Sequence, residues 1–494
     1  MEKKRLSISN ILMFCFIVAI SLFQVSIMHN SKLDSDILWH YKLGEEIVKQ
    51  HTITLSNNFT FLEGTEWIPQ EWLYETLIYG IISIAGLTGF FGLCFINSVI
   101  MWFVTSRNKS NLILFSIISM VLIYATPRNA GNRPSEFSIY FLLIIIYLYN
   151  KDMNNIKKLI YLLLGIIVAN FHGGIILVIT AIWFIMIAND IFNDWHDKEK
   201  INIKYYVNKL LEILIFLGAT LINPSGIKLL NTIVKVPNLD TTKYITEWKP
   251  AEVDYLLGVL LIAIVISFGY YIGKYGIKRK ELQLILINLA LLILSLHSRK
   301  AFILFDIAWM MYGYKYLEIM LHDIFSDEVN KHIKLNKFLK ATIPAGILII
   351  AVISIETVSI KESDFDNYVN SFRNEEIINR LKDEYTDDTK ILASYSNGNY
   401  LIYNDMQCFV DSRQWPYAKE LGNCEALDEL VYVMNNLQDR EYIEDFIDKY
   451  TFDYIWTDSL LDLNSYLEDT EKYELIIDNE NSKEKLWKRI KISN

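Results

Sequence analysis

The chain has 494 residues, 52% of them hydrophobic and 21% charged, with a formal net charge of −10 and a mean hydropathy of +0.23. That is too apolar for an ordinary soluble enzyme, and no clustered basic face of the kind nucleic-acid binding needs is present. The apolar residues come in blocks without the alternation of a barrel strand, so the expected class is a polytopic α-helical membrane protein. The negative charge gathers after about residue 360, where acidic residues outnumber basic ones by about two to one. The part before it is close to neutral or slightly basic.

In chain order, the first apolar block follows Lys3-Lys4-Arg5 and lacks a small-x-small cleavage pattern, which makes it a signal-anchor helix. Candidate spans are residues 9–28, 87–105, 111–126, 135–150, 158–171, 173–191, 207–222, 255–273, 281–297, 300–320 and 340–358. Residues 72–86 are apolar but short, and they carry Glu75 and two tyrosines. The basic stretches Lys3-Lys4-Arg5, Arg107-Asn108-Lys109, Lys157-Lys158 and Lys274 to Lys280 all fall on one side only if 72–86 does not cross. That stretch is then an interfacial helix on the outer surface. The expectation is about eleven spans, with a cytoplasmic N-terminus, an outer first loop over 29–86, a transmembrane domain over 1–358 and an extracytoplasmic tail.

After residue 358 the apolar blocks stop, and 359–494 reads as a soluble α/β domain of ordinary size. Strands are expected at 390–403, 407–412, 452–457, 473–478 and 486–492, with helical patterns at 424–450 and 459–468. Of the four cysteines, Cys15 and Cys94 lie in apolar segments. Cys408 and Cys424 lie in the tail, where an oxidising compartment would permit them to pair.

The polar motifs fall on the expected outer side. Asp34-Ser35-Asp36 opens a stretch that continues Ile37-Leu38-Trp39-His40 and closes Trp67-Ile68-Pro69-Gln70-Glu71-Trp72. Two carboxylates at this spacing suit a divalent cation such as magnesium or manganese, or a general base with a partner; they also suit a plain helix N-cap. His40 and Glu71 belong to the same loop. Arg128 and Arg133 lie between two spans, where a guanidinium fork suits phosphate and also suits lipid headgroups. His172, in Asn170-Phe171-His172-Gly173-Gly174, stands at a span junction as either a polar contact or a site residue. Glu247-Trp248 is an acidic-aromatic pair of the kind found on sugar-binding surfaces and equally an interfacial anchor. His297-Ser298-Arg299-Lys300 suggests a second anion contact. No Walker loop, dinucleotide fingerprint, His-Glu-x-x-His or Gly-x-Ser-x-Gly occurs, which speaks against nucleotide hydrolysis and hydride transfer.

A first helix followed by an outer loop with Asp-x-Asp, surface helices and many spans resembles the GT-C class of membrane glycosyltransferases. The strings Asp34 to Ile47, Trp67-x-x-x-Glu71-Trp72-Leu73, Arg133-Pro134-x-x-Phe137-Ser138, Asn170-Phe171-His172-Gly173, Asn223-Pro224-x-Gly226, Glu247-Trp248, Asn399 to Tyr403 and Phe409 to Arg413 are similar to a largely uncharacterised group of bacterial GT-C-like proteins. Ser412 departs from that pattern, which has glycine there. The resemblance implies a polyprenyl-phosphate-linked sugar donor and an acceptor in the cell envelope, whether glycan, lipid or protein. It further implies Asp34 or Asp36 as the base, Arg133 with Arg128 and Arg299 holding the donor phosphate, and inversion at the anomeric carbon.

Two other readings stay open on the sequence. A flippase of lipid-linked saccharide would need ionisable groups near the bilayer midplane, where only Asp306 stands out. A non-catalytic assembly protein would use the acidic tail to bind a partner.

Overall fold

The computed structural model of the protein describes residues 8–30, 34–107, 109, 111–125, 133–197, 202–236, 248–329, 346, 364–370, 375–422, 424–479 and 482–490. Arg128, Glu247 and essentially all of the expected span 340–358 lie outside these residues.

The first three hundred or so residues fold as helices: α1 (Ile8–Asn30), α2 (Asp36–Gln50), α3 (Trp72–Ser106), α4 (Leu112–Ala125), α5 (Ser138–Tyr149), α6 (Asn154–Phe171), α7 (Ile176–His196), α8 (Ile203–Ala219), α9 (Ile227–Lys235), α10 (Tyr255–Tyr275), α11 (Arg279–His297), α12 (Phe302–Ala308) and α13 (Tyr314–Val329). Five stretches, Asn10–His29, Trp72–Ser106, Gly173–His196, Tyr255–Tyr275 and Arg279–His297, are long and apolar enough to cross a membrane; Leu112–Ile123 and Pro134–Tyr149 are apolar but shorter. Trp102, Trp183 and Trp309 are fully buried between helices, while Phe14, Phe103, Leu214 and Ile262 point outward. Outward apolar side chains along such helices fit a membrane location.

α12 and α13 are one continuous helical run through a π-helical turn at Trp309–Gly313, and polar contacts between helix ends fall into two groups, or poles. At one pole Arg279 of α11 pairs with Asp194 of α7, Lys274 of α10 with Asp323 of α13 at 2.9 Å, and the Asn111 N–H reaches Glu318 at 3.2 Å. At the other pole the Trp72 indole N–H donates to Asn170 at 2.5 Å, Asn170 donates to the Ile222 carbonyl at 2.8 Å, and Arg133 meets Asp34.

Two glycines shape the loop end. Gly86 breaks α3 with φ 56° and ψ −154°, a conformation that side chains rarely adopt. The break falls where the interfacial stretch was expected to end. A Cβ at Gly44 would stand 2.1 Å from the Glu75 carbonyl oxygen, so only glycine permits α2 to lie this close on α3.

The tail carries a four-stranded sheet in the order β1-β2-β4-β3, from β1 (Ile391–Ala393), β2 (Tyr454–Thr457), β3 (Tyr473–Asn479) and β4 (Glu484–Arg489). β1 and β2 are parallel; the other pairs are antiparallel. Three expectations are corrected. Only Ile391–Ala393 of 390–403 is strand, because Ser394 caps a helix, Tyr395–Tyr403, by accepting from the Asn397 N–H. Residues 407–412 form no strand of the sheet; their β-type pairing with the first loop is the isolated bridge between Thr60 and Cys408. The 424–450 pattern divides into Ala426–Asn435 and Arg440–Tyr450, the second capped by Asp439.

The tail is not separate from the first loop. Ile37, Leu38, Trp39, Phe59 and Trp67 share one apolar cluster with Phe365, Ile377, Ile391, Tyr400, Cys408 and Trp456. The Cys408 N–H donates to the Phe59 carbonyl at 3.0 Å and the Thr60 hydroxyl to the Phe409 carbonyl at 3.1 Å.

Candidate functional site

Asp34 and Asp36 lie where the chain enters α2, and Arg133 reaches both. Pro134 favours an extended backbone at Arg133, found at φ −132° and ψ 148°, and this aims the side chain back across the pole. Its Nε donates to Asp34 Oδ2 at 2.6 Å, a terminal nitrogen donates to the same oxygen, and that nitrogen lies 3.2 Å from Asp36 Oδ2. Asp34 Oδ1 accepts the Asp36 backbone N–H at 3.2 Å. The three side chains are 16–19% exposed, which leaves the cluster reachable from solvent.

The tail completes this cluster. The Ser412 hydroxyl donates to Asp36 Oδ1 at 2.5 Å while accepting from the Trp39 indole N–H at 3.1 Å and from Asn399 Nδ2 at 2.8 Å. Asn399 Nδ2 also donates to Ser35 Oγ at 2.9 Å. Ser412 is held in place by a buried ion pair on its flanks. Arg413 donates to Asp411 through Nε at 2.8 Å and a terminal nitrogen at 2.6 Å, and through that nitrogen to Asn57 at 2.6 Å. The guanidinium lies 4.7 Å from the Trp67 ring centre, and Trp67 stacks on Trp415 at 4.9 Å. Asp411 and Tyr417 both favour the charged guanidinium against the cost of its burial.

Beside the aspartates, His40 and His172 flank Glu71. His40 Nε2 lies 4.0 Å from Glu71 Oε2, and His172 Nε2 lies 3.7 Å from Glu71 Oε1. His172 Nδ1 is 2.6 Å from the Ser138 hydroxyl. Burial pushes the Glu71 carboxyl up to about 7; Lys300 and Arg133 oppose this and Asp36 adds to it. Burial, with Lys300 next, lowers His172 to about 3. Burial also holds His40 well below its ordinary value, helped by Arg133 and Lys300. Both imidazoles are therefore neutral at physiological pH. A carboxyl near neutrality beside neutral imidazoles can take up or release a proton.

Several expected residues stand apart. Arg299 pairs with Glu252 at 3.0 Å, and His297 is exposed. Trp248 carries the Lys300 ammonium 5.5 Å from its ring centre. Lys300, rather than Arg299, is the cation whose charge reaches His40, Glu71 and His172. Asp34 and Asp36 share a guanidinium instead of forming a metal-capable group; among the described residues that group is His40, Glu71 and Glu75. Cys408 and Cys424 are both free thiols, Cys408 buried against the first loop and Cys424 at the edge of a different apolar cluster. Sequence reasoning named Glu75 and Asn399 without counting either as a site residue, although Glu75 stands only four residues after Glu71. Comparison of the sequence with protein-family models and with curated proteins finds no match.

Proposed function

We propose that the protein is a multi-pass membrane glycosyltransferase of about eleven spans, taking a sugar from a polyprenyl-phosphate donor and passing it to an acceptor outside the cytoplasm. On this reading the N-terminus is cytoplasmic, and the polar pole and the tail face outward. The observation that carries the reading is Arg133 spanning Asp34 and Asp36 at the polar ends of apolar helices. A reaction that needs a base for an acceptor hydroxyl and a cation for a leaving phosphate needs these groups side by side.

The two aspartates have different roles. Asp34 takes two guanidinium donors on one oxygen and a backbone N–H on the other, so it positions Arg133. Asp36 has one hydroxyl on Oδ1 and only a 3.2 Å guanidinium contact on Oδ2, which leaves acceptor capacity for a substrate proton. Asp36 is accordingly the base. Arg133 transfers part of its hydrogen bonding to the donor phosphate as the sugar–phosphate bond breaks, with Lys300 as a second positive charge nearby. Attack by the acceptor oxygen from the opposite side of the anomeric carbon inverts it.

The test uses full-length protein with a panel of polyprenyl-phosphate sugars, following sugar transfer or release. The reading predicts turnover of at least one donor and its loss in Arg133→Ala; a correctly folded protein that turns over none of them overturns it.

A further inference from the structure

We propose that His40, Glu71 and Glu75 bind one divalent transition-metal ion, of the zinc or manganese type. His40 comes from the first turns of α2; Glu71 precedes α3 and Glu75 lies in its first turn. Each offers one ligand atom, and these atoms all lie within 4.8 Å of one another. His40 can give the ion one ring nitrogen: Nδ1 lies 3.8 Å from Glu75 Oε1, while Nε2 lies 4.0 Å from Glu71 Oε2. Ligand atoms around a tetrahedral ion bound at about 2.1 Å stand about 3.4 Å apart. From a spread of up to 4.8 Å, inward side-chain movements of roughly 1 Å close the site.

A second observation points to the same ligand. Glu75 is fully buried, and neither carboxyl oxygen has a hydrogen-bond partner; His40 is 2% exposed, and its Nδ1 lacks one too. Burying these groups uncompensated is costly. A proton on Glu75 would remove its charge without supplying partners for its oxygens or for the imidazole. A dication neutralises both carboxylates and occupies a nitrogen lone pair at once.

The donor set selects the ion. An imidazole nitrogen with carboxylates favours zinc or manganese over magnesium and calcium, which prefer oxygen alone. The surroundings fix the ligands. The Tyr74 ring meets His40 edge-on at 5.1 Å, and His172 Nε2 lies 3.7 Å from the other oxygen of Glu71. The close α2–α3 approach at Gly44 sets the spacing between His40 and the two glutamates.

The site is independent of the transferase reading, because its test reads binding. Full-length protein in detergent is stripped with a chelator and titrated with manganese(II), following the free-ion electron paramagnetic resonance signal, with zinc as competitor. The expected result is one saturable ion per chain, displaced by zinc and accompanied by a rise in melting temperature. Glu75→Gln and His40→Gln should each weaken binding at least about tenfold, whereas Asp34→Asn should retain it. If one of the first two variants does not fold, the other decides. No saturable binding, binding unchanged in Glu75→Gln or His40→Gln, or binding lost in Asp34→Asn but kept in Glu75→Gln overturns the assignment.

Discussion

Ser412 donates its hydroxyl hydrogen to Asp36 at 2.5 Å across 376 residues of sequence. One hydroxyl in the tail thereby serves the carboxylate assigned as base, the Trp39 indole and the Asn399 amide together. The tail is part of the site it covers.

Removing that hydroxyl takes the hydrogen-bond partner from the Trp39 indole N–H and from one Asp36 oxygen in a mostly enclosed place. Ser412→Ala should lose about 1–3 kcal/mol of stability and should lower donor turnover about tenfold or more by releasing Asp36. Ser412→Gly, which also lacks the hydroxyl, should behave alike. Melting temperature and turnover on the same preparations check both effects.

The ion pair that flanks Ser412 is buried on every side. Arg413→Lys keeps the charge but not the two parallel hydrogen bonds to Asp411, so it should cost about 3–5 kcal/mol. Limited proteolysis reads this directly, with accelerated cleavage between residues 375 and 490 while the helical part stays resistant.

Gly44 sets how closely α2 can approach α3. An added methyl meets backbone, which cannot swing aside, so Gly44→Ala should cost about 1–3 kcal/mol. It should also weaken manganese binding, since His40 moves away from Glu71 and Glu75. A variant with unchanged melting temperature and unchanged ion affinity would contradict the packing argument.

The pH dependence has a definite sign in chelator-treated protein. Glu71 is raised from 4.5 to about 7 by burial, so its stabilising effect is complete below pH 4.5 and is lost as pH rises through about 7. His40 and His172 act oppositely, destabilising the fold as pH falls below 6.5. The difference between variant and wild type isolates Glu71: Glu71→Gln should gain melting temperature relative to wild type between pH 5 and 7.5. Equal pH profiles would count against a raised carboxyl.

Much of the architecture was legible because it depends on blocks and on charge. The long apolar runs gave helices, five of them long and apolar enough to cross a membrane, and Gly86 interrupts α3 at the end of the 72–86 stretch. The tail was harder. Ser394-Tyr395-Ser396-Asn397 reads as a strand by its aromatic and apolar neighbours, and only the cap shows it to be a helix start. At the site, Asp34, Asp36, Arg133, His40, Glu71 and His172 were visible as charged or titratable residues at an apolar boundary. Lys300 was visible beside Arg299, but which of two adjacent cations faces inward depends on the helical turn that carries them. Glu75 was visible in an apolar run but its burial beside His40 was not, and Ser412 owes its importance to packing between distant segments.

With Asp36 as the proposed base and Asp34 as the holder of Arg133, the two carboxylates should answer substitution differently. Donor turnover measured side by side for wild type, Asp34→Asn and Asp36→Asn, each matched for melting temperature, tests this most directly. The account predicts that Asp36→Asn loses at least about a thousandfold in turnover rate, while Asp34→Asn keeps measurable turnover with a raised KM for the lipid-phosphate donor. Wild-type turnover that Asp36→Asn leaves intact would contradict it.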